Sequence, residues 1–174
     1  MVNPHSHVAL LRAADLQIVW QQTLPAVRDG FFNVNPDATP HEDPEKTTLW
    51  EPALVFAPDG RYLYIVHADE NQLTTVDFSA RTAHTVAITP VASWLERLLA
   101  LTARSAKAKA FNGVRKQAVI APTGKRLYVT TVEHIFKVNV YTETAQNVQV
   151  IDLPSGVEIA QLDSQAHTVG ISAD

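Results

Sequence analysis

A chain of 174 residues that is 46% hydrophobic and 18% charged has the length and apolar content for one packed domain, and is neither a disordered nor a fibrous sequence. Its formal net charge of -4 argues against whole-surface attraction to nucleic acid. With no cysteine, a disulfide framework, a thiolate zinc site and a cysteine nucleophile are all excluded, and no apolar run is long enough for a membrane-spanning helix.

Residues 8–24, VALLRAADLQIVWQQTL, read as two strands, half of a four-stranded unit. The segment 31–52 holds four prolines among clustered acidic residues and reads as a solvated loop. Residues 53–66, ALVFAPDGRYLYIV, give an apolar strand, a Pro-x-Gly turn and a second strand. Proline pre-sets the turn dihedral there, and glycine supplies an angle that other residues reach only with strain. Along Arg61–Val66 the period of two puts Tyr62, Tyr64 and Val66 on one face and Leu63 and Ile65 on the other. Both faces are apolar, so this strand is expected between two neighbouring sheets. A second hairpin over 72–88 completes the unit, with the polar Gln72, Thr74 and Thr75 marking its outer strands.

Residues 90–113 read as a helical insertion. Trp94, Leu95, Leu98, Leu99, Leu101 and Ala106 recur at helical spacing, Ser93 with Glu96 forms a capping box, and Asn112–Gly113 is a stop signal. Residues 91–126 carry eight Lys/Arg against one acid, while the chain on either side is acidic. A basic amphipathic helix of this kind caps a sheet face with solvated lysines, or docks a protein partner through Trp94, Arg97, Arg104, Lys107 and Lys109. The acidic flanks count against lipid and nucleic acid.

The unit then repeats over 116–162. Aligning Pro122 on Pro58 also aligns Gly124 with Gly60 and Lys125 with Arg61, and Asp152 takes the place of Asp77. An insertion near 132–147 lengthens the middle loop. Residues 166–174 open a third copy, VGISAD, in which Asp174 falls on the position of Asp59.

The stretches FAPDGRYLYIV (56–66), IAPTGKRLYVT (120–130), VQVIDLPSGVEI (148–159) and ISAD (171–174) resemble the repeats of the bacterial YVTN and cytochrome cd1-like β-propeller family, a WD40-like architecture. Ala57 and Ala121 stand where that family has serine, and Thr123 where it has aspartate. The resemblance implies an all-β fold: propeller blades of four antiparallel strands in an incomplete ring, with one inserted amphipathic helix. It also implies a half blade at 8–24, a blade at 53–88, a blade with a loop insertion at 116–162 and the start of another at 166–174. Since such rings have six to eight blades, the chain reads as a fragment of a longer protein, or as one of two chains that complete a ring as a homodimer.

The function implied is a non-catalytic binding or scaffolding module whose partner is another protein or the remaining blades. The alternative is part of a propeller enzyme, a quinoprotein-dehydrogenase-like heavy chain or a lactonase-like hydrolase, with its active residues mostly elsewhere. Family habit points to a periplasmic or secreted location. Trp20, Trp50 and Trp94 lack the regular spacing of a pyrroloquinoline quinone docking ladder, and no haem, P-loop, dinucleotide, nucleophile-elbow or zincin motif is present. No cofactor, catalytic residue or metal ligand is therefore assigned. His5-x-His7 reads as chance at a terminus. In a propeller, loops after the inner strands converge on one end of the channel, which makes His67, Asp69 and Glu70, with Glu133 and His134 of the next unit, the candidates for a channel-end site. The bland alternative for all five is ordinary turn and loop residues.

Overall fold

Two turns of one design organise the chain. At the first, Gly60 N–H donates to the Ala57 carbonyl at 2.9 Å and Ala57 N–H to the Tyr62 carbonyl at 2.8 Å. At the second, Gly124 and Ala121 make the same two bonds, to Ala121 and Arg126, at 2.8 and 2.9 Å. Gly60 and Gly124 have φ of 69° and 71°, the left-handed region the turn requires. These contacts come from a computed structural model that describes residues 6–33, 47–89, 111–137, 140–153 and 155–171.

Among the described residues there are thirteen strands in three sheets. The first sheet is the hairpin β1 (Ser6–Leu11) and β2 (Ile18–Leu24). The second is an antiparallel meander of β5 (Ala53–Phe56), β6 (Tyr62–Val66), β7 (Gln72–Asp77) and β8 (Thr82–Ala87). The third contains another such meander, β9 (Phe111–Ile120), β10 (Arg126–Lys137), β12 (Asn147–Asp152) and β13 (Glu158–Gln165). It is widened by β11 (Val140–Ala145), which pairs with the far half of β10, and by the hairpin β3 (Gly30–Asn33) and β4 (Thr47–Glu51), which adds to the edge of β9. The repeat read in the sequence is present in the register. Tyr62 pairs with Asp77 as Arg126 pairs with Asp152.

The three sheets stack face to face. One core joins Ala53, Tyr64, Val66 and Leu73 of the middle sheet to Leu127, Val129 and Ile151 of the third. The other joins Leu63, Ile65 and Val76 to Leu24, Val27, Val8 and Trp20 beside the first hairpin. The alternation along β6 thus feeds two cores, which is why Leu63, Tyr64, Ile65 and Val66 are all buried. Burying Leu73 or Leu127 completely stabilises the fold by about 1.5–3 kcal/mol each. The first strands of the two meanders, β5 and β9, touch.

Three stretches differ from the sequence expectation. Phe111, Asn112 and Gly113 are strand, the start of β9, rather than the end of a helix, because all three pair with β10 and the last two also pair with β4 on the other side. Residues 90–110, the rest of the expected helix, lie outside the described residues. Within 31–52, the β-prone pairs Phe31–Phe32 and Leu49–Trp50 fall in β3 and β4, which cover an edge of β9 that would otherwise be open. The insertion near 132–147 is a hairpin, formed because β10 runs on past the end of β12 and β11 folds back on it. Finally, Pro52 alone separates β4, in the third sheet, from β5, in the second.

Candidate functional site

Lys116 faces inward. It pairs with Thr131, so its side chain shares the face of Val129 and Leu127 that packs on the middle sheet. Only 9% of the residue is exposed, and its ammonium has no hydrogen bond or ion pair with the described residues. Burial lowers its pKa to about 8, and the nearby Asp69 opposes part of that fall.

Asp69 lies in the turn after β6, with its side chain 6% exposed. Its Oδ2 is 3.3 Å from Arg28 Nε, whereas Oδ1 is buried without a hydrogen bond. His67, one residue beyond β6, is wholly buried. Its backbone N–H donates to the Gln72 carbonyl at 3.0 Å, closing that turn. Its Nε2 is 2.7 Å from Thr74 Oγ1, itself 2.7 Å from Thr85 Oγ1. The Ala26 carbonyl is a polar neighbour of the ring, yet Nδ1 makes no hydrogen bond. Burial holds the imidazole pKa below its ordinary value, with Asp69 and Glu70 pulling the other way.

Arg28 from the chain after β2, His67 and Asp69 from the turn after β6, and Lys116 from β9 therefore bring side chains of all three sheets to one place. Two cations face one buried carboxylate and a ring kept neutral by burial. The cluster offers an ammonium with unused donors, one unused carboxylate oxygen and one unused ring nitrogen. That set suits a small ligand with an acceptor for Lys116 and a donor for Asp69, whose Oδ1 is a buried polar atom left unpaired at a cost. Glu158 shows the contrast: it is buried too, but the amides of Gln149 and Gln161 satisfy it at 2.9 and 2.7 Å.

Of the five loop candidates, His67 and Asp69 lie in this cluster and Glu70 is exposed beside it. Glu133 accepts a hydrogen bond from the Gln146 amide at 2.6 Å. His134 projects from the opposite face of β10 to Thr131, among residues of β11. Trp94, Arg97, Arg104, Lys107 and Lys109 lie outside the described residues. Lys116 was missed, although a signal existed: it has the parity of Ala118 and Ile120, both packed on the core, so strand periodicity turns it inward. Arg28 carries no such signal.

A second place has room but not the chemistry. A cavity of about 120 Å³ between the first hairpin and the middle sheet is lined by Val8, Leu24, Leu54, Leu63 and Ile65, with Ser6, His7 and Asp29 also on its walls. Ser6 and His7 are successive strand residues pointing to opposite faces, and Ser6 Oγ donates to the Val27 carbonyl at 3.0 Å, so they make no nucleophile–base pair. Among the described residues no three His, Asp or Glu side chains are placed to hold a metal ion. The chain matches no protein-family profile and no curated protein sequence.

Proposed function

We propose that the chain is a segment of a β-propeller acting as a non-catalytic binding or scaffolding module, with Arg28, His67, Asp69 and Lys116 at its ligand-contacting end. The observation that carries this reading is the arrangement of the sheets. They stack face to face in chain order, the two meanders share one turn design and one register, and β5 touches β9. Sheets whose first strands approach one another while their faces pack are the elements of a radial array. The resemblance of FAPDGRYLYIV and IAPTGKRLYVT to YVTN-type repeats supports the same reading. The ring is completed by further blades of a longer chain or by a second copy of this one.

Small-angle scattering of the complete assembly tests the proposal. The expected distance distribution is that of a disc with a central channel. A rod, built by sheets continuing to stack in parallel, overturns it.

A further inference from the structure

The hairpin β1–β2 repeats the design of β12–β13. Arg12 N–H donates to the Gln17 carbonyl at 2.9 Å and Leu16 N–H to the Arg12 carbonyl at 2.8 Å. Asp152 and Gly156 make the matching bonds, to Val157 and Asp152, at 2.8 and 3.0 Å. Leu16 and Gly156 share the left-handed conformation, with φ of 58° and 72°. The register also slips at the same place, between Leu10 and Leu11 in one hairpin and between Val150 and Ile151 in the other. β1 is therefore the equivalent of β12 and, through the repeat, of β7.

In those two units a further strand lies along this one. β6 pairs with β7, setting Leu63 opposite Val76, Tyr64 opposite Thr75 and Ile65 opposite Thr74. β10 pairs with β12, setting Leu127 opposite Ile151, Tyr128 opposite Val150 and Val129 opposite Gln149. Leu11, Leu10 and Ala9 hold the corresponding places in β1, and among the described residues no strand pairs with them on that side. The floor beside the edge is open too. β2 touches β8, and β1 meets β5 and β6 around the cavity of about 120 Å³. On β5, Leu54 and Phe56 are 60% and 59% exposed, whereas Ala118 and Ile120, at the matching places of β9, are packed on a core. An open edge, a cavity and a bare apolar floor thus lie side by side.

We propose that β1 takes up an extended segment of a partner protein bearing Leu-Tyr followed by Ile or Val, paired antiparallel with its Leu opposite Leu11 and its Tyr opposite Leu10. The unpaired backbone groups of β1 supply the ladder bonds, and the floor selects the side chains. Residues directly opposite share a face. Val8 and Leu10 are on the half-buried face of β1 that packs toward the middle sheet, and Ala9 and Leu11 are on the exposed one. The partner's tyrosine therefore turns toward the cavity, Leu54 and Phe56, as Tyr64 turns into its own core. Two copies cannot pair β1 with β1. The twofold axis of that antiparallel pair would set both middle sheets on one side of the joined sheet, each in the space of the other. Strand addition rests on the four-stranded unit and not on ring closure, so a rod-shaped assembly overturns the ring and leaves it standing.

The test titrates the whole chain with the peptide Gly124–Thr131 carrying Arg126→Tyr, GKYLYVTT, the change removing a like charge opposite Arg12. The expected result is saturable binding by calorimetry, with slower amide exchange in β1 and a shift of the Leu54 methyl resonances. Leu54→Glu, at an exposed position, should weaken binding roughly ten-fold while leaving the fold's amide spectrum in place. A scrambled peptide of the same composition should not bind. No saturation, equal binding of the scrambled peptide, or binding without slower exchange in β1 overturns the proposal. An effect seen only when the peptide is joined ahead of residue 1 by a flexible linker overturns it as well, by assigning the edge to a strand of the same chain.

Discussion

Lys116 carries its charge where water hardly reaches. Its amine titrates at about 8 in the fold against 10.5 in the open, so between those values the unfolded chain holds a proton that the folded chain has released. Stability therefore rises with pH from 8 to 10.5, and below pH 8 the full burden, on the order of 3 kcal/mol, is present. We expect Lys116→Met to stabilise the chain at pH 7 and to flatten that rise, as measured by urea unfolding at pH 7, 9 and 10.5. A loss of stability at pH 7 would show that the amine is paired after all. His67 acts at the other end of the scale. Its folded pKa lies below 6.5, so on acidification from that point the unfolded chain takes a proton the buried ring refuses, and stability falls. His67→Gln should remove that slope below pH 6.5, and an unchanged acid profile would count against it.

The turns invite a comparison within the molecule. Arg81 has φ of 57° and Gly156, at the matching place in the next unit, has φ of 72°. Arg81→Gly should relieve left-handed strain and raise stability by about 0.5 kcal/mol. Gly156→Ala should do the reverse by 2 kcal/mol or more, since the strain of about 1–3 kcal/mol is joined by a Cβ placed 2.8 Å from Val86 Cγ2. Calorimetric melting of the two variants reads both signs. At the core, Leu127→Ala should cost about 2–5 kcal/mol, because the side chain is fully buried between two sheets. These elements were legible because local chemistry and tertiary packing agree there: Pro-x-Gly sets the turns and a two-faced apolar pattern sets β6. The hairpin β3–β4 and the tip formed by β10 and β11 were not, since their pairing depends on an open edge supplied by distant residues. The candidate site divides in the same way. His67 and Asp69 stand out beside the repeat and Lys116 follows from strand parity, but Arg28 joins them only through folding.

Association is the question at the scale of the molecule. The outer edge of β1 has no strand beside it among the described residues, and the middle sheet leaves Leu54 and Phe56 of β5 about 60% exposed. Both belong to the side on which the two-stranded first sheet packs, and that sheet is too narrow to cover β5. Light scattering behind size exclusion should show a concentration-independent dimer if two copies close the proposed ring. A monomer or a ladder of sizes would count against closure by a second copy. In either case, restoring cover to Leu54 and Phe56 should raise the melting temperature, and Leu54→Thr should reduce self-association without unfolding the sheet.

The single-residue link at Pro52 has a mechanical meaning. A chain that leaves one sheet and enters the next within one residue works as a rivet, because the two sheets cannot slide or part until β4 is torn from β9. Load applied to the middle sheet passes at once to the third. The two should therefore lose their amide protection in one concerted event, while the first hairpin, which has no such rivet among the described residues, is free to peel away earlier.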